Sequence, residues 1–483
     1  MAGVAARRPE RHHDDFSAQR IELDGMTAHR HGGEVFGVSF ALLTEGGERK
    51  YSNDTKTKKQ SCEFHIYFSF GNTGIKYNRL GSRLYLKKTF KQIYIPQIYS
   101  AKREPEFSPH VYDKIVGMLL ESLEAQNFRN LRGKIQCGNT LNIIFGENGQ
   151  GKTNWLEAIY LLATTKSFKT ARLHETVQFN EQLAIVRGII QKGSEIHRTL
   201  QVAVEGNTKI LSVNNKKETI TRFLGELHTV IFNSDELEIV RGQPEARRKF
   251  LDGGIVSIYP PFVQTLTDYN RVIRQKNSLL QSAQESGFSI EKTAELLEPW
   301  NEQLIQLATR IHKARIRYVE RLNEALEKKL FGKEEVTIRY ASSLEGKGDL
   351  SDYAALLAER LHLRVQAELV SGHSLIGTHR DDLDVLFDGH DLRKYGSSGQ
   401  QRSALLILQL ATVSVYHQQN QEYPLFLLDD IDAELDYKRI GQLLEFLSDK
   451  TQTFVTTSKE SFVEKFGDKA KIFHVENGAP KIL

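Results

Sequence analysis

The sequence predicts an α/β protein whose sheet-forming region is interrupted by a long helical segment. Three observations support this fold class. An apolar strand at 141–145 leads through a glycine-rich loop into a helix at 153–162. A second apolar strand, 425–428, ends in two adjacent acids. Between these two motifs, residues 236–366 carry apolar side chains at helical spacing, with long charged faces.

Composition sets limits on the class of protein. The chain has 483 residues, of which 40% are hydrophobic and 26% charged, and this length suits two or three domains. No apolar run approaches the length of a membrane span, so no membrane partner is expected. Residues 1–117 carry a net charge of +6 and the rest of the chain −2, so any argument for nucleic-acid binding by the main body must come from local patches.

Residues 1–117 differ in kind from the rest of the chain. They are rich first in histidine and later in tyrosine and lysine, with weak periodicity, and we expect this segment to be poorly ordered. Two interpretations stay open: it is an extension of unknown role, or translation begins at Met118, and we favour the second. The predicted domains that follow are a first half-domain at 118–235, a helical arm at 236–366 and a second half-domain at 367–483.

The stretch FGENGQGKTN, residues 145–154, has the composition of a phosphate-binding loop. Its glycines lack a Cβ, so backbone N–H groups can curl around a β-phosphate. Lys152 is predicted to reach the β- and γ-phosphates, and the Thr153 hydroxyl to ligate Mg²⁺. The helix that follows offers its N-terminus as a further anion site. The predicted nucleotide cradle comprises Gly146, Glu147, Asn148, Gly149, Gln150, Gly151, Lys152 and Thr153.

The stretch PLFLLDDIDAELD, residues 424–436, places Asp429 and Asp430 at the end of an apolar strand. In α/β sheets, ligands bind outside the carboxyl ends of the strands. Asp429 is predicted to hold Mg²⁺ through its water shell, and Asp430 to act as a base or to orient the attacking water. The alternative is a pair of helix-capping acids, but two carboxylates beside an apolar strand are costly without a cation.

The stretch KYGSSGQQRSALLILQLA, residues 394–411, begins an apolar helix with small residues. Free N–H groups and hydroxyls at a helix N-terminus form a phosphate site, although the same pattern is typical of an ordinary serine N-cap. One P-loop already holds its own β-phosphate. We therefore interpret Ser397, Ser398, Gly399 and Gln400 as a clasp for the γ-phosphate held by another copy of the chain.

Taken together, these motifs resemble those of the RecF family of recombination-repair ATPases, and SSGQQ resembles the signature motif of ABC-type ATPases. The stretches NFRNL (127–131), NSDELEIVRGQPEARRKFLD (233–252) and GTHRDDL (377–383) agree with the same family in order and spacing. The resemblance extends from Met118 to the C-terminus. It implies an ABC-type, Rad50-like ATPase head that carries an inserted helical arm in place of a long coiled coil.

The resemblance also implies roles for particular residues. Lys152 and Thr153 fall on the Walker A positions, Asp429 on Walker B, Asp430 on the acid that follows it, and Ser398 on the signature serine. Residues 433–436 fall on the D-loop. Lys152, Asp430 and Ser398 are thereby implied to be catalytic, with ATP and Mg²⁺ as cofactors.

A function in DNA repair follows from the same resemblance. It implies a cytoplasmic, nucleoid-associated protein that binds gapped, single-stranded and double-stranded DNA without sequence preference. It further implies an ATP-dependent homodimer with weak, DNA-stimulated hydrolysis, which works with RecR and RecO to load RecA.

Two basic clusters are the candidates for DNA contact. Arg310, Lys313 and Arg317 recur on one helix face, and such a stripe suits the phosphate backbone. Arg247 and Arg248 belong to the second cluster. Each patch is equally typical of a solvated face with salt bridges. Residues 379–382, His-Arg-Asp-Asp, either couple DNA to the ATP site or order a loop, and the sequence does not decide between these hypotheses.

Some positions depart from the family pattern. Residues 233–236 lack the proline that usually precedes the acids there, which leaves a metal-sensing role open. The stretch 454–458 has no histidine where ABC transporters keep their switch histidine. That absence and the long helical insertion argue against the first alternative function, a transport ATPase subunit. The second alternative, a small-molecule P-loop kinase, leaves SSGQQ unexplained.

Overall fold

A computed structural model describes residues 117–482, except 194–195 and 329–333, together with short strands before residue 117. Those short strands form antiparallel pairs: Gln19–Ile21 with Phe40–Leu42, His29–His31 with Glu34–Phe36, Ser69–Phe70 with Thr73–Gly74, and Tyr77–Asn78 with Tyr85–Leu86. Apart from these strands, the predictions for residues 1–117 lie outside the described residues.

The main body alternates strands and helices as the sequence predicts. Its strands are β1 (Met118–Phe128), β2 (Leu131–Gln136), β3 (Leu141–Phe145), β4 (Leu183–Lys192), β5 (Ile196–Glu205), β6 (Thr208–Val213), β7 (Lys216–Lys217), β8 (Thr229–Phe232), β9 (Val336–Ala341), β10 (Asp382–Phe387), β11 (His390–Asp391), β12 (Leu425–Leu428), β13 (Thr453–Thr457), β14 (Ala470–Glu476) and β15 (Ala479–Ile482). Its helices are α1 (Lys152–Thr164), α2 (Ile220–Phe223), α3 (Glu238–Arg241), α4 (Pro244–Ile258), α5 (Phe262–Glu285), α6 (Ile290–Glu327), α7 (Tyr353–Leu363), α8 (Val365–Ser371), α9 (Leu392–Tyr395), α10 (Ser398–Asn420), α11 (Ile431–Glu434), α12 (Tyr437–Leu447) and α13 (Glu460–Phe466).

A six-stranded sheet at the centre of the main body runs in the order β8-β12-β13-β3-β14-β15. All neighbouring strands pair in parallel except β15, which pairs antiparallel with β14. Every residue of β12 and β13 is buried, as expected for strands covered on both faces. Strands β3 and β8 come from one side of the helical insertion and β12–β15 from the other, so both parts of the chain build one sheet.

A second six-stranded sheet, β2-β1-β4-β5-β6-β7, is antiparallel and packs on α1. Trp155 and Leu162 of α1 are fully buried between the two sheets. The helix and β4 approach closely at Gly188, where a Cβ would lie 2.4 Å from a methyl carbon of Leu162. This packing fixes α1, and with it the glycine loop, relative to the strands.

The helical arm is built mainly from α4, α5 and α6, and α6 alone spans 38 residues. One face of α6, including Leu304, Ala308 and Ile311, shares a hydrophobic core with α10 and the parallel sheet. The segment predicted to be helical also contains a strand, β9, which pairs antiparallel with β10. Its sequence VTIRYA alternates buried and more exposed residues in its first half, a strand pattern too short to stand out beside long helices.

Candidate nucleotide site

The glycine loop leaves β3 and enters α1 in a conformation that only glycine tolerates at two points. A Cβ on Gly146 would lie 2.5 Å from the carbonyl oxygen of Val475. Gly151 has a φ of 107°, and a Cβ there would lie 2.8 Å from Oδ1 of Asn130. Side chains are excluded at these positions, so the loop is a narrow backbone cradle of the kind that a phosphate group fits.

Other parts of the fold hold this loop in place. The backbone N–H of Gly478 donates to the carbonyl oxygen of Gln150 at 2.8 Å, and that of Asn477 donates to its Oε1 at 2.7 Å. On the other side, Nδ2 of Asn154 donates to Oδ1 of Asn130 at 2.7 Å. The turns after β14 and β1 thereby preorganise the cradle.

Lys152 lies across the mouth of the loop. Its Nζ donates to the carbonyl oxygen of Glu147 at 2.9 Å and to Oδ1 of Asn148 at 3.4 Å, and only 5% of the residue is exposed. Burial lowers the pKa of Lys152, and the charges of Asp430, Asp429 and Asp432 oppose that shift. The ammonium group therefore bonds to the loop and interacts electrostatically with the acids that follow β12.

The two sequence motifs meet at the carboxyl edge of the parallel sheet. Oδ1 of Asp429 accepts hydrogen bonds from the Thr153 hydroxyl at 2.9 Å and from the Thr456 hydroxyl at 2.7 Å. Burial raises the pKa of Asp429, and these two hydrogen bonds oppose the shift. A hydroxyl and a carboxylate are hard oxygen ligands, so this pair fits Mg²⁺ that keeps most of its water and phosphate ligands.

Asp430 follows Asp429 in a left-handed conformation, with φ 46° and ψ 44°. Its backbone N–H donates to the Thr456 hydroxyl at 2.8 Å. Burial raises the pKa of Asp430, and the positive charge of Lys152 opposes the shift. A carboxylate with a raised pKa accepts a proton more readily, which suits the role in water activation that the sequence predicts.

The predicted clasp lies at the N-terminus of α10. Ser397 is the N-cap: its hydroxyl accepts from the N–H of Gln400 at 3.3 Å, and the Gln400 side chain accepts from the N–H of Ser397 at 2.8 Å. Ser397 is therefore an ordinary serine N-cap, which is the alternative that the sequence left open for this stretch. Ser398 and Gly399 are exposed, and no hydrogen bond among the described residues occupies the Ser398 hydroxyl.

The start of α10 is hydrogen-bonded to Glu434 of α11, in the segment predicted to be the D-loop, and not to the P-loop of the same chain. Nε of Arg402 donates to Oε2 of Glu434 at 2.7 Å. Between residues 397–400 and 146–153, all of which the structure describes, no hydrogen bond forms. The predicted clasp thus faces outward, as a contact to a second copy would require.

The basic stripe of α6 is exposed at all three predicted positions, Arg310, Lys313 and Arg317. At about 100° per residue, these side chains lie roughly 140–160° around the helix from Arg315. Arg315 is 3% exposed and bonds both oxygens of Asp252, at 2.8 and 2.9 Å. One face of α6 is therefore anchored in the arm and the opposite face presents positive charge.

The structure corrects the prediction for Arg247. This residue is 2% exposed, and its Nε and Nη2 donate to the two carboxylate oxygens of Asp382 at 2.6 and 2.9 Å. Its Nη1 donates to the carbonyl oxygen of Gly242 at 2.7 Å. Because Arg247 is buried and each of its three guanidinium nitrogens donates a hydrogen bond inside the fold, it is not available to DNA. Arg248 is half-buried and donates to the carbonyl oxygen of Asp381 at 2.7 Å, which leaves it only partly available.

Residues 379–382 make contacts that match the loop-ordering hypothesis. The Tyr269 hydroxyl lies 2.8 Å from Nδ1 of His379. Asp381 is fully buried and accepts from the Tyr340 hydroxyl and, at 2.7 Å, from the N–H of Ser343. These bonds join the arm helix α5 and strand β9 to the segment that leads into β10.

The fold brings three further residues to the site to which the sequence motifs assign no role: Asn130, Thr456 and Lys169. Asn130 accepts from Asn154, and Thr456 donates to Asp429, as described above. Nζ of Lys169 donates to Oδ1 of Asn154 at 2.7 Å. Burial lowers the pKa of Lys169, and nearby acids, Glu157 and Asp429 among them, oppose that shift. Thr456 lies near the end of a buried strand, as Asp429 follows one, but only the strand order shows that the two strands are neighbours.

Comparisons with known proteins agree with this geometry. The family model described as the RecF/RecN/SMC N terminal domain matches residues 119–481. A DNA replication and repair protein RecF of Halothermothrix orenii is 35% identical over 373 residues, covering 75% of this chain and 98% of the relative. A RecF of Streptococcus suis is 34% identical over 372 residues, again covering 75% of this chain and 98% of the relative.

A solved structure points to the same family. The recombination mediator protein RecF with ATP, described as part of the RecFOR pathway, superposes with a TM-score of 0.70 at 32% identity. The match covers 77% of this chain and all of the solved one. The ATPase-head fold with an inserted arm that the sequence predicts is confirmed, and the chain belongs to the RecF family.

Proposed function

We propose that this chain is an ATP-dependent DNA-binding protein of replication and recombinational repair. Its relatives bear the name of DNA replication and repair proteins, and the matching solved structure is of a RecF–ATP complex. The observation that carries the proposal is the 2.9 Å hydrogen bond between Thr153 and Asp429, residues 276 positions apart. It supports a nucleotide and metal site at one sheet edge, to which both halves of the ATPase head contribute.

Different residues of this site have different roles in ATP hydrolysis. Backbone N–H groups of 146–151 and the Lys152 ammonium would bind the phosphates, and Thr153 and Asp429 would hold Mg²⁺. Bound Mg–ATP supplies the phosphoanhydride bond that is cleaved. Asp430 orients a water molecule and accepts its proton. We expect turnover to be slow, because 454–458 offers no histidine to sense the γ-phosphate, and to rise on DNA.

The partners of the chain are proposed on separate grounds. The exposed stripe Arg310, Lys313 and Arg317 spans about 10 Å along α6 and supports sequence-independent contact with the phosphate backbone of gapped, single- or double-stranded DNA. The outward-facing Ser398 supports an ATP-dependent homodimer. By family, RecR and RecO are the proposed protein partners in loading RecA, in the cytoplasm at the nucleoid.

The alternatives that the sequence left open have less support. The relatives and the solved structure favour neither a transport ATPase subunit nor a small-molecule kinase. None of the helices in the described part of the chain combines the length and hydropathy that a bilayer-spanning segment requires.

The test is ATP hydrolysis by the purified chain with and without gapped DNA. We expect measurable turnover that rises on gapped DNA and more weakly on duplex of equal length. The matched control is Asp430→Asn, which keeps the side-chain volume and should bind ATP but accumulate the ATP-bound state. Hydrolysis that gapped DNA leaves unchanged, with no DNA binding in the presence of ATP, would refute the proposal.

A further inference from the structure

A single hydroxyl group joins the two acids that follow β12. Oγ1 of Thr456 donates to Oδ1 of Asp429 at 2.7 Å and accepts from the backbone N–H of Asp430 at 2.8 Å. Thr456 is the fourth residue of β13, which pairs in parallel with both β12 and β3. It therefore lies between the strand that bears the acids and the strand that bears the P-loop.

The Thr456 hydroxyl is buried beside the two acids. Thr456 has no exposed surface, so bulk water does not substitute for its hydroxyl. A hydroxyl both donates and accepts, and Thr456 uses both capacities on neighbouring residues. Valine has nearly the same shape as threonine but can neither donate nor accept a hydrogen bond.

For Asp429, the hydrogen bond sets the orientation of the carboxylate. Thr153, in the first turn of α1, and Thr456, in β13, both donate to Oδ1. Two donors on one oxygen fix the carboxylate plane, and in the described structure Oδ2 receives no hydrogen bond from the protein. Oδ2 is thereby left as the oxygen that faces a metal ion or its water shell.

For Asp430, the hydrogen bond supports a backbone conformation that non-glycine residues rarely adopt. Its φ of 46° lies in the left-handed region, where a Cβ is unfavourable. This conformation turns the chain directly after the strand, so it determines where the Asp430 side chain lies relative to the P-loop. Without the Thr456 hydroxyl, the Asp430 N–H has no acceptor, and the hydrogen bond that stabilises the left-handed turn is lost.

We propose that Thr456 is a positioning residue that presents both acids to the nucleotide through one hydroxyl. It orients Asp429 toward the metal and holds Asp430 in the turn from which it reaches the attacking water. The proposal rests on the proposed ATPase function for its kinetic consequence, but its structural consequence is independent of it.

Three variants of β13 test the proposal. Thr456→Val removes the hydroxyl, and Thr456→Ser keeps it while losing only a methyl group. The matched control is Thr453→Val, which removes a buried hydroxyl from the other end of the same strand, where Thr453 contacts Thr451 at 3.0 Å.

We expect Thr456→Val to lower kcat by about tenfold or more and to raise the Mg²⁺ concentration for half-maximal activity by about tenfold. ATP binding measured in EDTA should be unchanged, because the P-loop is untouched. Thr456→Ser should restore both parameters to near the wild-type values, and Thr453→Val should leave them unchanged. In a crystal structure of Thr456→Val, Asp430 should have left the left-handed region.

Separate results overturn the two proposals. If the wild-type chain hydrolyses ATP and Thr456→Val matches it in kcat and in Mg²⁺ dependence, Thr456 does not position the acids. Retention of the Asp430 turn in Thr456→Val overturns the proposal even if activity falls. A wild-type chain that neither binds nor hydrolyses ATP refutes the proposed function instead, and the crystal structure still decides the role of Thr456.

Discussion

Replacing Arg247 by alanine should destabilise the fold and leave DNA binding intact. The substitution deletes two hydrogen bonds to Asp382, of 2.6 and 2.9 Å, and one of 2.7 Å to Gly242. Removing one partner of a buried ion pair costs about 3–5 kcal/mol. Asp382 keeps 22% of its side-chain surface exposed and retains Arg393 at 3.5 Å, so we expect the low end, about 3 kcal/mol.

The pH dependence gives an independent check on this estimate. Burial would raise the pKa of Asp382, but its hydrogen bonds to Arg247 and the charges of Arg247 and Arg393 hold it below the ordinary value. A depressed pKa contributes stability above the unfolded value, about 3.9, and that stability is lost as the pH falls through the folded value. The difference in stability between wild type and Arg247→Ala should therefore shrink below about pH 4.

Urea denaturation followed by circular dichroism measures the loss of stability, and fluorescence anisotropy on gapped DNA measures affinity. Lys249→Ala is the matched control, because Lys249 is exposed and its pair with Glu245, at 2.8 Å, should contribute less than about 1 kcal/mol. A wild-type denaturation midpoint in Arg247→Ala, or a loss of DNA affinity in a fully folded Arg247→Ala, would refute this prediction.

Three further predictions concern the nucleotide and DNA surfaces. Lys152→Met removes the P-loop ammonium and should abolish phosphate release; undiminished turnover would exclude this loop from the mechanism. Arg310→Glu combined with Arg317→Glu should weaken binding to all DNA sequences alike and reduce the slope of log K against log salt by about 2, measured by anisotropy; an unchanged slope would place the DNA surface elsewhere. Ser398→Arg should retain ATP binding but lose dimerisation and hydrolysis, and mixing it with Lys152→Ala should restore partial activity, since each mixed dimer keeps one complete site. Inactive mixed dimers, once shown to form, would contradict sharing of sites between copies.

The sequence was most informative where chemistry is carried by consecutive residues. The strand, glycine loop and helix around Lys152 form as predicted, because the residues that shape the loop are its own glycines. The apolar strand before Asp429 also forms as predicted, since four consecutive buried residues leave few alternatives. The strand β9 was not predicted, because six residues among long helices give a weak periodic signal.

Side-chain roles that depend on distant partners were harder to predict. Arg247 and Arg310 look alike in sequence, as basic residues in helices with charged neighbours. One is buried against Asp382, 135 positions away, and the other faces solvent. The helical period identifies a face but does not say which face the rest of the chain covers.

The sequence alone thus determined the family, the P-loop, the acids after β12 and the small residues at the start of α10, because each depends on local backbone geometry and on spacing. Only the tertiary structure decided which cations are free and which hydroxyl holds the acids. Strand order placed Thr456 beside Asp429 and Asp430, and arm packing enclosed Arg247. Both outcomes depend on contacts between residues far apart in the chain, and the energy of a charge or hydroxyl is set by those contacts and by its burial.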